Sequence, residues 1–109
     1  MKLITAVVRD SAVVPLQAAL AEAGHTGISR WNVIGRGRQH GIRVGEVVYD
    51  ELAKSMLYIV VEDGEKDAVV DLVIRTAQSE GGQPGDGRVF VSDIAESYTI
   101  SSQSKDEEG

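Results

Sequence analysis

The sequence predicts one α+β domain, built as a four-stranded antiparallel sheet with two helices on one face. Three observations lead there. Runs rich in β-branched residues alternate with segments of helical period in the order strand, helix, strand, strand, helix, strand. The chain has 109 residues, enough for one hydrophobic core and too few for two. It contains no cysteine, which excludes disulfides, thiolate zinc sites and cysteine nucleophiles, so packing must hold the fold together.

Each element has its own signal. "KLITAVVR" (2–9) reads as a strand. "SAVVPLQAALAEAG" (11–24) places Val13, Leu16, Leu20 and Ala23 on one helical face and stops at Gly24. Pro15 falls in the first turn, where backbone N–H groups have no intrahelical partner to lose. "TGISRWNVIG" (26–35) is a second strand, and "SMLYIVVE" (55–62) is the clearest strand of the chain. "DGEKDAVVDLVIRTAQS" (63–79) is a helix with acidic residues in its first turn and Val69, Leu72, Val73 and Thr76 on one face. "EGGQPGDG" (80–87) is a loop. "RVFVSDIAESYTI" (88–100) is a last strand bent near Asp93, and residues 102–109 read as a disordered acidic tail.

With right-handed crossovers, βαββαβ gives the ferredoxin-like sandwich. "AVV", "MLYIVV" and "VFV" are apolar on both sides, whereas a sheet with one wet face should alternate. Two helices cover only one face, so another copy of the chain is expected on the second, giving a homo-oligomer.

Charge narrows the function. A net charge of −6 disfavours binding to nucleic acid over a broad face. The N-terminal apolar run is too short for a signal peptide and no stretch is long enough to span a bilayer, so a cytoplasmic protein without stable membrane insertion is expected. Within this acidic chain, Arg30, Arg36, Arg38 and Arg43 form a stretch with no Asp or Glu between them. Such an island suits a small anion or is a solvated basic loop.

Two glycine-rich sites follow strands, "GRGRQHG" (35–41) and "GDGR" (85–88). Glycine lets backbone N–H groups face an anion, and arginine adds bidentate phosphate contacts. "GQPGDGRV" is not a Walker A loop, because Arg88 and Val89 stand where Lys and Ser or Thr are required. "GRGRQHG" opens no helix, which excludes a dinucleotide fingerprint. The two loops fit one composite phosphate site. His25 and His40 have no acid or nucleophile at a catalytic spacing, so no enzyme is expected. Between the strands, residues 37–53 far exceed the usual connection of about 4–6 residues and contain Val47, Val48 and Tyr49, apolar residues suited to a partner surface or to a hairpin packed on the domain itself.

These motifs resemble the PII signal-transduction proteins over residues 1–101. The resemblance rests on "ALAEAGHTGISRWNVIGRGRQHG", "LAKSMLYIVVED", "VIRTAQS" and "GDGRVFV". It implies a ferredoxin-like homotrimer that binds ATP or ADP between subunits, with 2-oxoglutarate as effector beside ATP and Mg, and a T-loop, here about 37–53, that grips a target. "GRGRQHGIRVGEVVYDEL" is most similar to the short-T-loop branch encoded beside nitrogenase genes, which implies nitrogenase as target and admits a mixed oligomer with a paralogue. Carried over by position, Gly35, Gly37, Arg38 and Gln39 form the T-loop base, with Gln39 also the magnesium ligand. Gly85, Asp86, Gly87 and Arg88 form the second phosphate loop (B-loop, about 80–88), and Val7, Ser29 and Val60 line the adenine. Lys54, Arg9 and Gln39 hold 2-oxoglutarate. On the residues alone Lys54 reads as a surface lysine.

The chain departs from the family pattern at Thr99 and Ser101, where arginine reaches across the subunit interface to phosphates, and in a longer B-loop carrying Glu80. Arg36, where the family often has an aromatic, is a candidate to compensate. The alternative expectation is therefore a divergent sensor of ADP, AMP or another small anion, acting on a transporter or a carbon-metabolism enzyme. The competing enzymatic reading is a small acylphosphatase using Arg38.

Overall fold

A computed structural model describes residues 1–25, 27–35 and 52–107. Strand β1 (Lys2–Arg9) leads through a 3-10 turn at Asp10–Ala12 into helix α1 (Val13–Glu22). Strands β2 (Ile28–Gly35) and β3 (Leu52–Val61) follow. A 3-10 turn at Asp63–Glu65 then starts helix α2 (Lys66–Ala77), and Pro84–Asp86 forms another short turn before strand β4 (Gly87–Asp93). The sheet order is β2-β3-β1-β4, every pairing antiparallel, with β1 central. This is the ferredoxin-like arrangement expected from the order of elements.

The core lies between the helices and one face of the sheet. Ile4, Ala6 and Val8 of β1 and Leu57, Ile59 and Val61 of β3 point to the helices, where Val13, Leu16 and Leu20 of α1 and Val69 and Val73 of α2 meet them. At about 1.5–3 kcal/mol per buried large apolar side chain, this cluster supplies the main driving force for the fold. Ala23 is exposed, contrary to its expected place on the buried face, because α1 has already ended. Gly24 adopts φ +95° and donates to Ala21 O, while His25 N reaches back to Leu20 O at 2.8 Å. Together they satisfy the last carbonyls of the helix.

The second sheet face carries Leu3, Thr5, Val7, Met56, Tyr58, Val60 and Phe90. Val60 is 52% exposed and Phe90 51% exposed, and no described element covers this face. The apolar character of both strand faces thus reflects one face buried within the chain and one left open.

Two boundaries differ from expectation. β3 begins at Leu52, so the backbone of residues 52 and 53 belongs to the strand and not to the long connection before it. The last strand stops at Asp93 and does not run bent to residue 100. Residues 94–97 are irregular, and the stretch expected as tail is not disordered through residue 107. Instead β5 (Tyr98–Thr99) pairs with β6 (Ser104–Lys105) in a separate hairpin. Asp106 secures it, accepting from Ser97 Oγ and, at 2.6 Å, from Thr99 Oγ1, while its own N–H donates to Ser97 O. Position 106 is acidic, but its carboxylate is consumed by local hydroxyls, which composition cannot reveal.

Gly87 controls how β4 joins the sheet. Its φ is +112°, and a Cβ placed there would sit 1.9 Å from Val7 O. No side chain fits, and the conformation is one that essentially only glycine adopts. Gly87→Ala should therefore destabilise the protein by about 3 kcal/mol, lowering Tm by on the order of 15 °C in a thermal melt. Gly64→Ala, where a Cβ meets nothing within 4 Å, should leave Tm nearly unchanged.

Candidate functional site

The antiparallel register decides what meets at one end of the sheet. Arg9, the last residue of β1, is the Cα partner of Lys54 on β3, while Val8 faces Gly87 and Val7 faces Arg88 on β4. Lys54 is only 9% exposed, so it is not the surface lysine that its sequence context suggests. Its ammonium donates to Gly85 O at 2.8 Å. Burial first, then the neighbouring Arg9 guanidinium, pushes the Lys54 pKa down, and Asp86 and Asp10 oppose them.

The loop before β4 is organised by one carboxylate. Asp86 Oδ2 accepts the N–H of Ser79 at 3.0 Å and of Gln83 at 2.9 Å, and Oδ1 accepts Ser79 Oγ at 2.7 Å and Arg9 Nη2 at 2.7 Å. Gly81 and Gly82, both at φ +76°, make the reversal that brings residue 79 back to residue 86. The Gln83 N–H, the Ser79 hydroxyl and amide, and Arg9 hold the Asp86 carboxyl well below the usual carboxylate range. Ser79, Gln83 and Asp10, which accepts from Ser55 Oγ at 2.8 Å, escaped sequence reasoning. The usable signal was a Ser-x₆-Asp pair bracketing three glycines and a proline, a spacing in which an acid can close a turn on backbone amides.

Arg9, Lys54, Gly85, Asp86, Gly87, Arg88 and Val7 therefore converge at one sheet end. Ser29 and Val60 lie elsewhere. Ser29 is opposite Tyr58 and Val60 opposite Leu3, whereas Val7 is opposite Met56. Four residues of strand separate Met56 from Val60, about 13 Å along the sheet. All three expected adenine residues share the open face, yet one chain does not assemble them into one pocket. Gly35 closes β2 opposite Leu52. Gly37, Arg38, Gln39, Val47, Val48 and Tyr49 lie outside the described residues.

Chemically, the convergence is suited to an anion. Arg9 and Lys54 bring two cations together, Arg88 is exposed two residues from Asp86, and the Arg9 Nε is buried with no acceptor among the described residues. A buried donor left unpaired costs about 1–3 kcal/mol, and a carboxylate or phosphate oxygen is its natural complement. A cavity of about 430 Å³ lies on the helix side of the same loop, walled by Val70, Val73, Ile74, Val89 and Val91. Among the described residues no group of His, Cys, Asp or Glu is arranged to hold a metal ion, and no helix is long and apolar enough to cross a membrane.

The depressed Asp86 pKa has a definite pH signature. A carboxyl whose folded pKa lies below its unfolded value of about 3.9 stabilises the fold fully above that value, and the contribution is lost as pH falls towards the folded pKa. Tm should accordingly drop below about pH 4, and Asp86→Asn, which has no proton to gain, should show a shallower drop than wild type between pH 5 and pH 2.5. Equal slopes in melts followed by circular dichroism would remove Asp86 as an ionised loop anchor.

Comparison with known proteins agrees with this fold. The family model for nitrogen regulatory protein P-II matches residues 1–104. A Methanococcus maripaludis protein described as nitrogen fixation nifHD region glnB-like protein 1 is 45% identical over 104 residues, covering 95% of this chain and 97% of the relative. A Methanosarcina barkeri nifHD2 region GlnB-like protein 1 is 44% identical, covering 96% and 98%. Nitrogen regulatory protein P-II 1 of Escherichia coli is 40% identical, covering 98% and 97%. The chain belongs to the nitrogen regulatory protein P-II family, whose members are regulatory signal-transduction proteins and not enzymes.

Proposed function

We propose that this PII-type regulator senses adenine nucleotide together with 2-oxoglutarate and controls nitrogenase through the segment following Gly35. The observation that carries the reading is the pairing of two cations, Arg9 and Lys54, beside the glycine loop that ends in Arg88. Phosphates suit Arg88 and the backbone N–H groups around Gly87, and a carboxylate suits Arg9 and Lys54. Asp86 serves this loop through its shape, because its carboxylate oxygens are engaged by Ser79, Gln83 and Arg9. Nitrogenase is favoured as target because several relatives are named for nifHD regions.

The nucleotide sits between copies of the chain. Val7 and Arg88 lie at one end of the open sheet face, Val60 towards the other and Ser29 on β2 level with Thr5, so a cleft using both sets is proposed to draw them from two chains. The uncovered apolar face supplies the contact for a homotrimer, which can include a paralogue. Magnesium comes with the nucleotide, and Gln39, from the T-loop base, is its proposed protein ligand through a hard amide oxygen. Gly37 and Arg38 stand with it on the phosphates, and Val47, Val48 and Tyr49 are the proposed target contacts. Signalling is linkage: an effector shifts the target-binding segment only as far as its affinity differs between the segment's two conformations.

A pull-down tests this reading. Nitrogenase subunits should be captured by the free protein and released when ATP–magnesium and 2-oxoglutarate are added together, with release lost in Lys54→Ala. Capture of a membrane carrier in place of nitrogenase would overturn the target.

One observation favours a second reading of the nucleotide. Thr99 and Ser101 stand where family arginines meet phosphates, and Thr99 turns its hydroxyl onto Asp106 of its own hairpin. A lost charge-assisted hydrogen bond, about 1.5–3 kcal/mol, corresponds to roughly a ten- to hundredfold weaker affinity for the most charged nucleotide. Calorimetry separates the readings. ATP–magnesium strengthening 2-oxoglutarate binding supports the first, whereas tight AMP binding without a 2-oxoglutarate response supports a divergent adenylate sensor.

A further inference from the structure

Arg9 is half satisfied. A guanidinium matches a carboxylate best through two parallel bonds, one from Nε and one from Nη. Here Nη2 meets a single Asp86 oxygen at 2.7 Å, while Nε is buried and meets nothing. Asp86 is in no position to do better, since its other oxygen is occupied by the amides of Ser79 and Gln83. Lys54, the cross-strand partner of Arg9, is in a similar state: its buried ammonium is spent on a neutral acceptor, the carbonyl of Gly85. Two adjacent cations are thus held by two consecutive residues of one loop, each less completely than an added carboxylate would hold them. Among the described residues the remaining charged neighbours are Asp10, turned onto Ser55, and Arg88, which follows the loop into β4.

We propose that Asp86 is an internal stand-in for a ligand carboxylate: it occupies Arg9 in the empty protein and is displaced when a small carboxylate engages Arg9 through Nε and Nη. The displaced side chain keeps its bonds to Ser79 and Gln83, so the exchange is reversible and does not unfold the loop. Because residues 85 and 86 lead directly into Gly87 and Arg88, capture of the carboxylate and the posture of the phosphate-facing residues become one equilibrium. Asp86 is then a specificity-determining residue, setting how strong an anion must be to enter. This inference rests on the reading that the Arg9–Lys54 pair receives 2-oxoglutarate.

The test is titration calorimetry with 2-oxoglutarate in saturating ATP–magnesium, using wild type, Asp86→Asn and Glu80→Gln. Asparagine can still accept the Ser79 and Gln83 amides through its oxygen but turns an amide towards Arg9, removing the competitor. Asp86→Asn should bind 2-oxoglutarate about tenfold tighter than wild type. Glu80→Gln removes one negative charge from the same loop without touching Arg9 and should tighten binding far less than Asp86→Asn. Wild-type binding that Asp86→Asn does not tighten, or that Glu80→Gln tightens equally, overturns the stand-in while the proposed effector survives. Binding by Asp86→Asn alone supports it. Absence of binding in both overturns the proposed effector and this inference with it. A second measurement covers loss of folding in Asp86→Asn: the carboxyl ¹³C resonance of Asp86 in wild type, followed through acid pH with and without 2-oxoglutarate. Displacement from Arg9 removes one donor that favours the carboxylate, so its titration should move to higher pH in the loaded protein. An unmoved titration overturns the proposal.

Discussion

The structure depends on the central position of β1. This strand is hydrogen-bonded on both sides, to β3 and to β4, and both partners run antiparallel to it. Register then leaves no freedom: the end of β1 must lie against the start of β3 and the start of β4, so Arg9 meets Lys54 and the 79–86 loop arrives beside both. The same pairing places Ile4, Ala6 and Val8 under the helices, where they are almost completely buried. A one-residue slip would turn those three to the open face and send Arg9 into the core, so apolar burial and charge placement enforce the same alignment. Gly87 is the tolerance in this arrangement, because it lets β4 begin in contact with the Val7 carbonyl.

Much of this was legible from residue order. β-branched runs and helical periods gave the βαββαβ order, and the apolar character of both faces of "MLYIVV" pointed to a second copy of the chain on the face that the helices leave uncovered. Glycine spacing near 85–88 marked the loop that brings the Gly85 carbonyl to the Lys54 ammonium. Lys54 was harder. Its flanking residues, alanine and serine, carry no periodic signal at a strand start, and its burial arises from a loop thirty residues away whose carbonyl reaches its ammonium. Asp86 was legible as a site residue but not in its role, since four donors from residues 9, 79 and 83 must be brought in before the carboxylate can be seen as a brace. The C-terminal hairpin was misread because its stabilisation is specific pairing of hydroxyls with Asp106, whereas disorder was inferred from bulk polarity. Local periodicity reports one side chain's neighbours along the chain, and all three failures concern neighbours supplied across it.

The site also shows why a regulator differs from an enzyme built on similar parts. A catalytic anion site gains from donors aimed at a charge that develops during reaction. Here the donors are already occupied by the protein itself, Arg9 by Asp86 and Lys54 by Gly85. Such occupation lowers affinity for a ligand but gives the ligand something to change, and a change in the protein is the requirement for signalling. On the proposed reading, the Arg9 Nε, unpaired among the described residues, leaves a donor for a ligand to take up. A fully satisfied ion pair would resist displacement, and a fully empty one would leave the loop without a defined resting position.

Oligomerisation follows the same logic. On the proposed reading, Val7 and Arg88 from one chain face Ser29 and Val60 from another, so neither half holds a nucleotide alone. Ligand binding then favours the assembled form over separate chains by mass action, and the apolar face that brings copies together also completes the site. On that reading a second copy covers Phe90 and Val60, which are half exposed on a lone chain, where large apolar groups would otherwise invite nonspecific association. Their neighbours on the same face include Thr5 and Ser29, whose hydroxyls limit the apolar area and restrict which orientation of a second copy leaves no polar group unpaired. On the proposed reading the face is apolar enough to associate and polar enough to favour one geometry, the one that completes a shared cleft.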